Sequence, residues 1–143
     1  MALSYARRKF FNAFLNNYVQ VEYPLPEGAT VSMRCETHFK KGGDLRYDKL
    51  GTYNHCRRTN HGKIRLNLMA ADFMLVTGAM MPKPKAKTLI ATIAHEYKHA
   101  LQRFYGDDGA PGENDHPREV EARAFEKPAV DGFLAQYTGV VPV

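Results

Sequence analysis

Near the middle of the second half of the chain, the sequence reads His95-Glu96-Tyr97-Lys98-His99. On a helix, residues four apart lie on nearly the same face, one turn from each other. Two imidazoles placed that way can hold one Zn²⁺ at about 2.0–2.1 Å each. Glu96 follows the first imidazole directly, so its carboxylate flanks the metal rather than ligating it. From there it can take a proton from a zinc-bound water. A tetrahedral catalytic site needs a third protein ligand and leaves the fourth position to water. The downstream run His116-Pro117-Arg118-Glu119-Val120-Glu121-Ala122-Arg123-Ala124-Phe125-Glu126 offers Glu119, Glu121 and His116 for that place. Glu119 stands 20 residues after His99, enough chain for a helix end, a loop and a returning turn.

These residues resemble a known family. The stretch 89–104 with His95, Glu96 and His99 looks like the active-site helix of zincin metallopeptidases. Glu119-x-x-Ala122 with Phe125 resembles the second helix of gluzincins, where a Glu in an E-x-x-A context is the third zinc ligand. The whole is similar to a minimal gluzincin of the ImmA/IrrE type. His116-Pro117 partly fits the SprT-like branch, whose third ligand is a His. The resemblance covers residues 64–126 loosely and says little about residues 1–60.

It implies an α+β, zincin-like fold in a single domain, 1–143. Its parts would be an N-terminal helix, a small mainly antiparallel sheet, the active-site helix and a second, ligand-bearing helix. It implies His95, His99 and Glu119 as ligands of one catalytic zinc and Glu96 as general base. The activity implied is hydrolysis of peptide bonds in a protein or peptide substrate. It also gives residues 64–68 the role of an edge strand that pairs with an extended substrate backbone. An oxyanion stabiliser is expected from among Tyr105, His116, Arg123 and Tyr137. Position 123 is Arg, where the resembled group carries Asp or Asn. A guanidinium accepts no hydrogen bond, so another group must orient the ligating histidines.

The elements that position these residues follow from spacing. Leu3, Ala6, Phe10, Phe11, Phe14, Leu15 and Tyr18 recur at three- and four-residue steps and predict a helix over 3–20. Pro24, Pro26 and Gly28 end it. Moderate alternation predicts a strand over 29–39 and a second over 45–55, broken at Gly51. Between them Lys40-Lys41-Gly42-Gly43-Asp44 is a turn signal, and Asn60-His61-Gly62 is another. Ile64, Leu66 and Leu68 against Lys63, Arg65 and Asn67 make the cleanest period-two run, a half-buried strand. Residues 70–81, rich in Ala and Met, suggest a short helix. Leu89, Ile93, Ala100, Leu101 and Phe104 form the buried stripe of a long helix, 86–105. After a loop over 106–112, Asp115 is a plausible N-cap with Pro117 in the first turn. The last helix, from 116, is kinked or restarted at Pro128 and reaches Tyr137.

Composition narrows the remaining readings. Hydrophobic residues are 44% and charged residues 24% of the 143, which excludes collagen-like, coiled-coil and wholly disordered chains. No apolar run approaches the roughly 18 residues needed to span a bilayer. The first ten residues carry charges and lead into an Asn-rich stretch, unlike a secretory leader, so a cytoplasmic location is expected. Two cysteines, Cys35 and Cys56, are no disulfide scaffold. Cys35-x-x-His38 with His55-Cys56 and His61 could form a structural metal site, although the adjacent pair converges poorly.

Residues 1–87 hold 15 Lys/Arg against 6 Asp/Glu, and residues 88–143 hold 5 against 9. Arg57, Arg58, Lys63 and Arg65, with Tyr47, Tyr53 and His55 close in sequence, could meet nucleic acid through residues 57–65. Two rivals to the peptidase follow. One is a catalytically idle module binding nucleic acid or a protein partner through its basic face. The other is a structural component of a viral or phage assembly.

Overall fold

The computed structural model describes residues 5–36, 39–45, 49–68, 75–76, 79–80, 85–106 and 116–143. The first helix, α1, spans residues 5–22. It begins as an α-helix, Tyr5–Asn12, widens to a π-helical stretch, Ala13–Val19, and closes with an α-turn, Gln20–Glu22. Residues 3–4 of the expected helix lie outside the described residues. The widening has a reason in the sequence. Phe10, Phe14 and Tyr18 form one row at four-residue steps, and Phe11, Leu15 and Val19 form another. Around an α-helix such rows drift by about 40° per turn, and a wider turn takes that drift back. Phe10, Phe11, Phe14, Leu15 and Val19 all end in the core.

Three strands make the main sheet: β1 (Thr30–Glu36), β4 (Gly51–Cys56) and β5 (His61–Asn67), in the order β1-β5-β4. β5 runs parallel to β1, from Thr30 opposite His61 to Glu36 opposite Asn67. It runs antiparallel to β4, with Tyr53 opposite Ile64. The sheet is therefore mixed rather than mainly antiparallel. The period-two run holds in part: Ile64, Leu66 and Leu68 are buried and Lys63 is exposed, but Arg65 is half-buried and Asn67 fully buried, its side-chain amide donating to the Lys49 carbonyl. β5 is the central strand, however, not an edge. An expected edge at 64–68 is thus corrected: both flanks of β5 are paired, and among the described residues the strands with an open side are β1 and β4.

A small hairpin, β2 (Lys40–Lys41) with β3 (Asp44–Leu45), turns through Gly42 and Gly43, both at positive φ. That is the geometry a two-residue hairpin loop requires. The expected single strand over 45–55 is instead split, β3 ending at Leu45 and β4 starting at Gly51. The turn expected at Asn60-His61-Gly62 falls at residues 57–60, with Asn60 at φ 49°, and His61 and Gly62 belong to β5.

Within 70–81, the described residues form β6 (Leu75–Val76) and β7 (Ala79–Met80), an antiparallel pair rather than a helix. Ala and Met favour a helix, but without a three-to-four-residue apolar period nothing anchors one to the core. The expected loop at 107–112, Asp115 as N-cap, Tyr47 and His38 lie outside the described residues.

Two long helices complete the fold: α2 (Ala86–Phe104) and α3 (His116–Gln136), the latter continuing through Pro128. One side of α2 carries Leu89, Ile90, Ile93, Ala94, Tyr97 and Leu101 into the core shared with α1, β5 and the end of α3. The Tyr97 hydroxyl donates to the Tyr23 carbonyl and so ties α2 to the segment after α1. Among the described residues the architecture is α+β, with three helices and a small mixed sheet. No described helix is long and apolar enough to cross a membrane.

Candidate metal centre

The site is built where α2 and α3 lie side by side. Along α2, Thr92, His95, His99 and Gln102 form one row at steps of three and four. Along α3, Glu119, Ala122, Glu126, Ala129 and Phe133 do the same. Residues at such steps share a helix face. His95 meets Glu126 while Gln102 meets Arg118 and Glu121, so the two rows run in opposite directions. Fully buried Ala122 and Ala129 leave room for the close approach.

His95 Nε2 lies 3.0 Å from Glu119 Oε2, and His99 Nε2 lies 2.9 Å from Glu119 Oε1. One ligand atom from each of His95, His99 and Glu119 lies within 4.8 Å of the other two, a group that could hold a metal ion. The far side of each imidazole is also engaged. His95 Nδ1 is 2.8 Å from Glu126 Oε2, and His99 Nδ1 is 2.9 Å from Gln102 Oε1. The Gln102 amide orientation is fixed by its NH₂ group, which donates to the Arg118 carbonyl and to Glu121 Oε1.

Both Nδ1 atoms therefore face acceptors and act as donors. In a neutral imidazole that leaves the lone pair on Nε2. Two lone pairs then point at a carboxylate that also offers only lone pairs. Such an arrangement calls for a positive centre among the three groups. Tetrahedral ligands about 2.05 Å from a zinc lie ~3.3 Å from one another, and the His95–Glu119 and His99–Glu119 separations of 3.0 and 2.9 Å come within a few tenths of an ångström of that.

Glu96 stands one residue from His95 and is 8% exposed. Burial pushes its carboxyl up to about 7, and the neighbouring Glu119 adds to the rise while His99 opposes it. Its Oε2 is buried with no hydrogen-bond partner, as are Thr52 Oγ1 and Arg103 Nε. All three residues line one cleft of about 700 Å³, which also contains His95, His99, Glu119 and Glu126. Buried polar groups are ordinarily paired. Among the described residues, the unpaired ones gather where a ligand has room to enter.

The open side of β4 forms the opposite wall. The Asn67 N–H donates to the Leu50 carbonyl at 2.8 Å, which sets the phase of the ladder. Alternate residues thus turn their amides towards β5, and Gly51 and Tyr53 turn theirs outward. Gly51 allows the close approach to α2, because a Cβ there would sit 2.7 Å from Thr92 Cγ2 and 3.1 Å from the Arg65 carbonyl.

Compared with known proteins, the chain matches no family model, no curated protein and no solved structure. The geometry alone carries the reading of the site.

The structure brings Glu96, His95, His99 and Glu119 together. Glu121 is mostly exposed and turns to Lys98, at 3.5 Å, and to Gln102. His116 opens α3, and its side chain lies outside the described residues. Of the oxyanion candidates, Arg123 lines the cleft. Tyr105 is bonded away from it, to the Pro24 carbonyl, and Tyr137 packs on Phe10 and Phe133.

Sequence reasoning missed Glu126 and Gln102, which orient the two histidines in place of residue 123. The signal was present: Glu126 stands seven residues after Glu119 and Gln102 three after His99, each on the same face.

The other sequence features resolve differently. His61 is held by Thr30 Oγ1 at 2.7 Å and Ser32 Oγ at 2.9 Å. Cys35 and Cys56 are free thiols, and the His95/His99/Glu119 group alone could hold a metal among the described residues. Arg65 is engaged by Glu36, its Nη2 at 2.6 Å from Oε2, and lies over the Phe39 ring.

Proposed function

We propose that this protein is a zinc-dependent metallopeptidase. The observation that carries the reading is the convergence of His95 Nε2 and His99 Nε2 on Glu119 while both Nδ1 atoms are engaged elsewhere. Two imidazoles and one carboxylate form a donor set suited to catalytic zinc. A zinc ion held there would act as a Lewis acid, making a water nucleophilic near neutral pH and polarising a carbonyl.

The chain supplies the rest. Glu126 and Gln102 fix the imidazole tautomers and ring orientations. The Glu96 carboxylate, one oxygen free and aimed at no protein group, takes a proton from the attacking water and returns it to the leaving amine. Glu119 would complete the protein ligands of the metal and partly neutralise its charge. The outward amides of Gly51 and Tyr53 can pair with an extended peptide, which places its backbone across the cleft from α2. A peptide is therefore the natural substrate class.

Elemental mass spectrometry of purified protein, with Glu119→Ala and Glu96→Gln beside it, tests this reading. About one zinc per chain is expected in the wild type and in Glu96→Gln, with a sharp loss in Glu119→Ala. Zinc-dependent cleavage of a denatured protein substrate should disappear in Glu96→Gln. A wild type that binds no zinc after reconstitution, or cleavage that survives in Glu96→Gln, rejects it.

A further inference from the structure

The charges around the metal centre have a clear imbalance. Among the described residues, the acids lining the cleft are Glu96, Glu119 and Glu126, of which Glu119 and Glu126 face histidine nitrogens and Glu96 is buried. The described cations on its walls are Lys41, Lys49, Arg103, Arg118 and Arg123. Lys41, Lys49, Arg103 and Arg123 have no carboxylate partner among the described residues. Arg103 also keeps a buried Nε without an acceptor.

Their placement follows the strand. Lys49 stands two residues before Gly51, where β4 starts, and lines the same cleft as Lys41 of the hairpin. The charge of Lys41 is felt at Glu96. At the other end Arg103, one helical turn beyond His99, acts on Tyr53. Lys49 and Tyr53 are four residues apart, a reach of at most roughly 13 Å, about four residues of an extended peptide. Arg123, one turn beyond Glu119, faces the same space from α3.

Resting on the peptidase reading, we infer that the cleft selects acidic peptides, with Asp or Glu side chains on both sides of the scissile bond. Lys41 and Lys49 would receive the carboxylate at one end of the bound segment, and Arg103 with Arg123 the one at the other. Lys41, Lys49 and Arg123 are exposed, so the selection rests on the summed charge of the walls, and a basic segment would meet like charges at both ends. A carboxylate at the Arg103 end would also satisfy the orphaned donor.

The test is fluorescence polarisation on full-length Glu96→Gln protein, with and without added zinc. The probes are three labelled ten-residue peptides, identical except for Asp/Glu, Asn/Gln or Lys at the flanking positions, and a labelled ten-residue oligothymidine. The acidic peptide should bind at least about tenfold tighter than its Asn/Gln counterpart. In Lys49→Glu/Arg103→Glu the preference should pass to the Lys peptide. The milder Lys49→Ala, checked by thermal melting, should lower the acidic preference several-fold with an unchanged fold. Equal binding of the acidic and neutral peptides overturns the inference, as does a preference that survives the charge reversal. Oligothymidine binding as tight as that of the acidic peptide also overturns it, in favour of a nucleic-acid groove. Zinc content and cleavage are scored separately. A zinc-binding, cleaving protein without acidic preference rejects this inference alone, whereas absence of zinc rejects the peptidase reading.

Discussion

The two halves of α3 present one continuous row of residues to two different environments. Towards its end, Phe133 sits against Phe10, Phe14, Tyr18 and Tyr137, with ring centroids 4.8–5.7 Å apart and hardly any exposure. Towards its start, Glu119 and Glu126 occupy the same row and meet histidines instead. The closed half has its volume filled. The open half holds its shape through directional bonds, and its walls keep three buried polar atoms without partners. Core packing and candidate site are thereby separated along a single helix, whose row also carries the buried Ala122 and Ala129.

Substitutions can break that comparison or sharpen it. The largest effect is expected at the closed end. Phe133→Ala removes a buried ring and should cost about 3–5 kcal/mol in urea unfolding, while the fraction that remains folded still binds zinc. At the open end, Glu96→Gln should lower cleavage by about 10²–10⁴-fold without lowering the stability of the metal-free protein. A loss of stability as large as that of Phe133→Ala would show that the two halves are not distinct.

Glu126→Ala should weaken zinc by about 10–100-fold in a chelator competition, because His95 loses the acceptor that orients it. If it weakens zinc no more than a substitution at exposed Lys127, the orienting role is wrong.

The smallest effect is expected far from both halves, at the Glu36–Arg65 pair. The Arg65 guanidinium, by its hydrogen bonds and charge, holds Glu36 below the usual carboxylate range. Since the folded value lies below the unfolded one, this stabilisation is complete above about pH 4.3 and fades as pH falls through the lower folded value. Glu36→Gln should thus cost up to about 1 kcal/mol at pH 7, a difference that shrinks in acid when urea midpoints are compared.

Residues with local partners were readable in advance. His95 and His99 need only helix geometry to come together, and the alternation around Ile64 needs only the strand period. Glu126 was overlooked because its partner, His95, is 31 residues away: the seven-residue step from Glu119 marks a shared helix face but not what that face meets. The π-helical widening of α1 was likewise invisible, although the aromatic rows that demand it stand in the sequence. The edge position expected for residues 64–68 failed for a related reason. Period-two alternation reports which face of β5 is buried, but a strand paired on both edges can show the same alternation as one paired on a single edge.

By itself the sequence determined the chemistry available: which helix carries the imidazoles, which glutamate stands beside them, and which residues have no choice but the core. Those are consequences of side-chain type and of periods of 3.6 and 2. The tertiary structure decided which glutamate closes the triad, which residues orient the histidines, and that β4 rather than β5 offers an open edge. Each of those outcomes depends on how surfaces pack across tens of residues. Such packing is settled by the shape and volume of all three helices and the sheet together, which no local stretch of sequence contains.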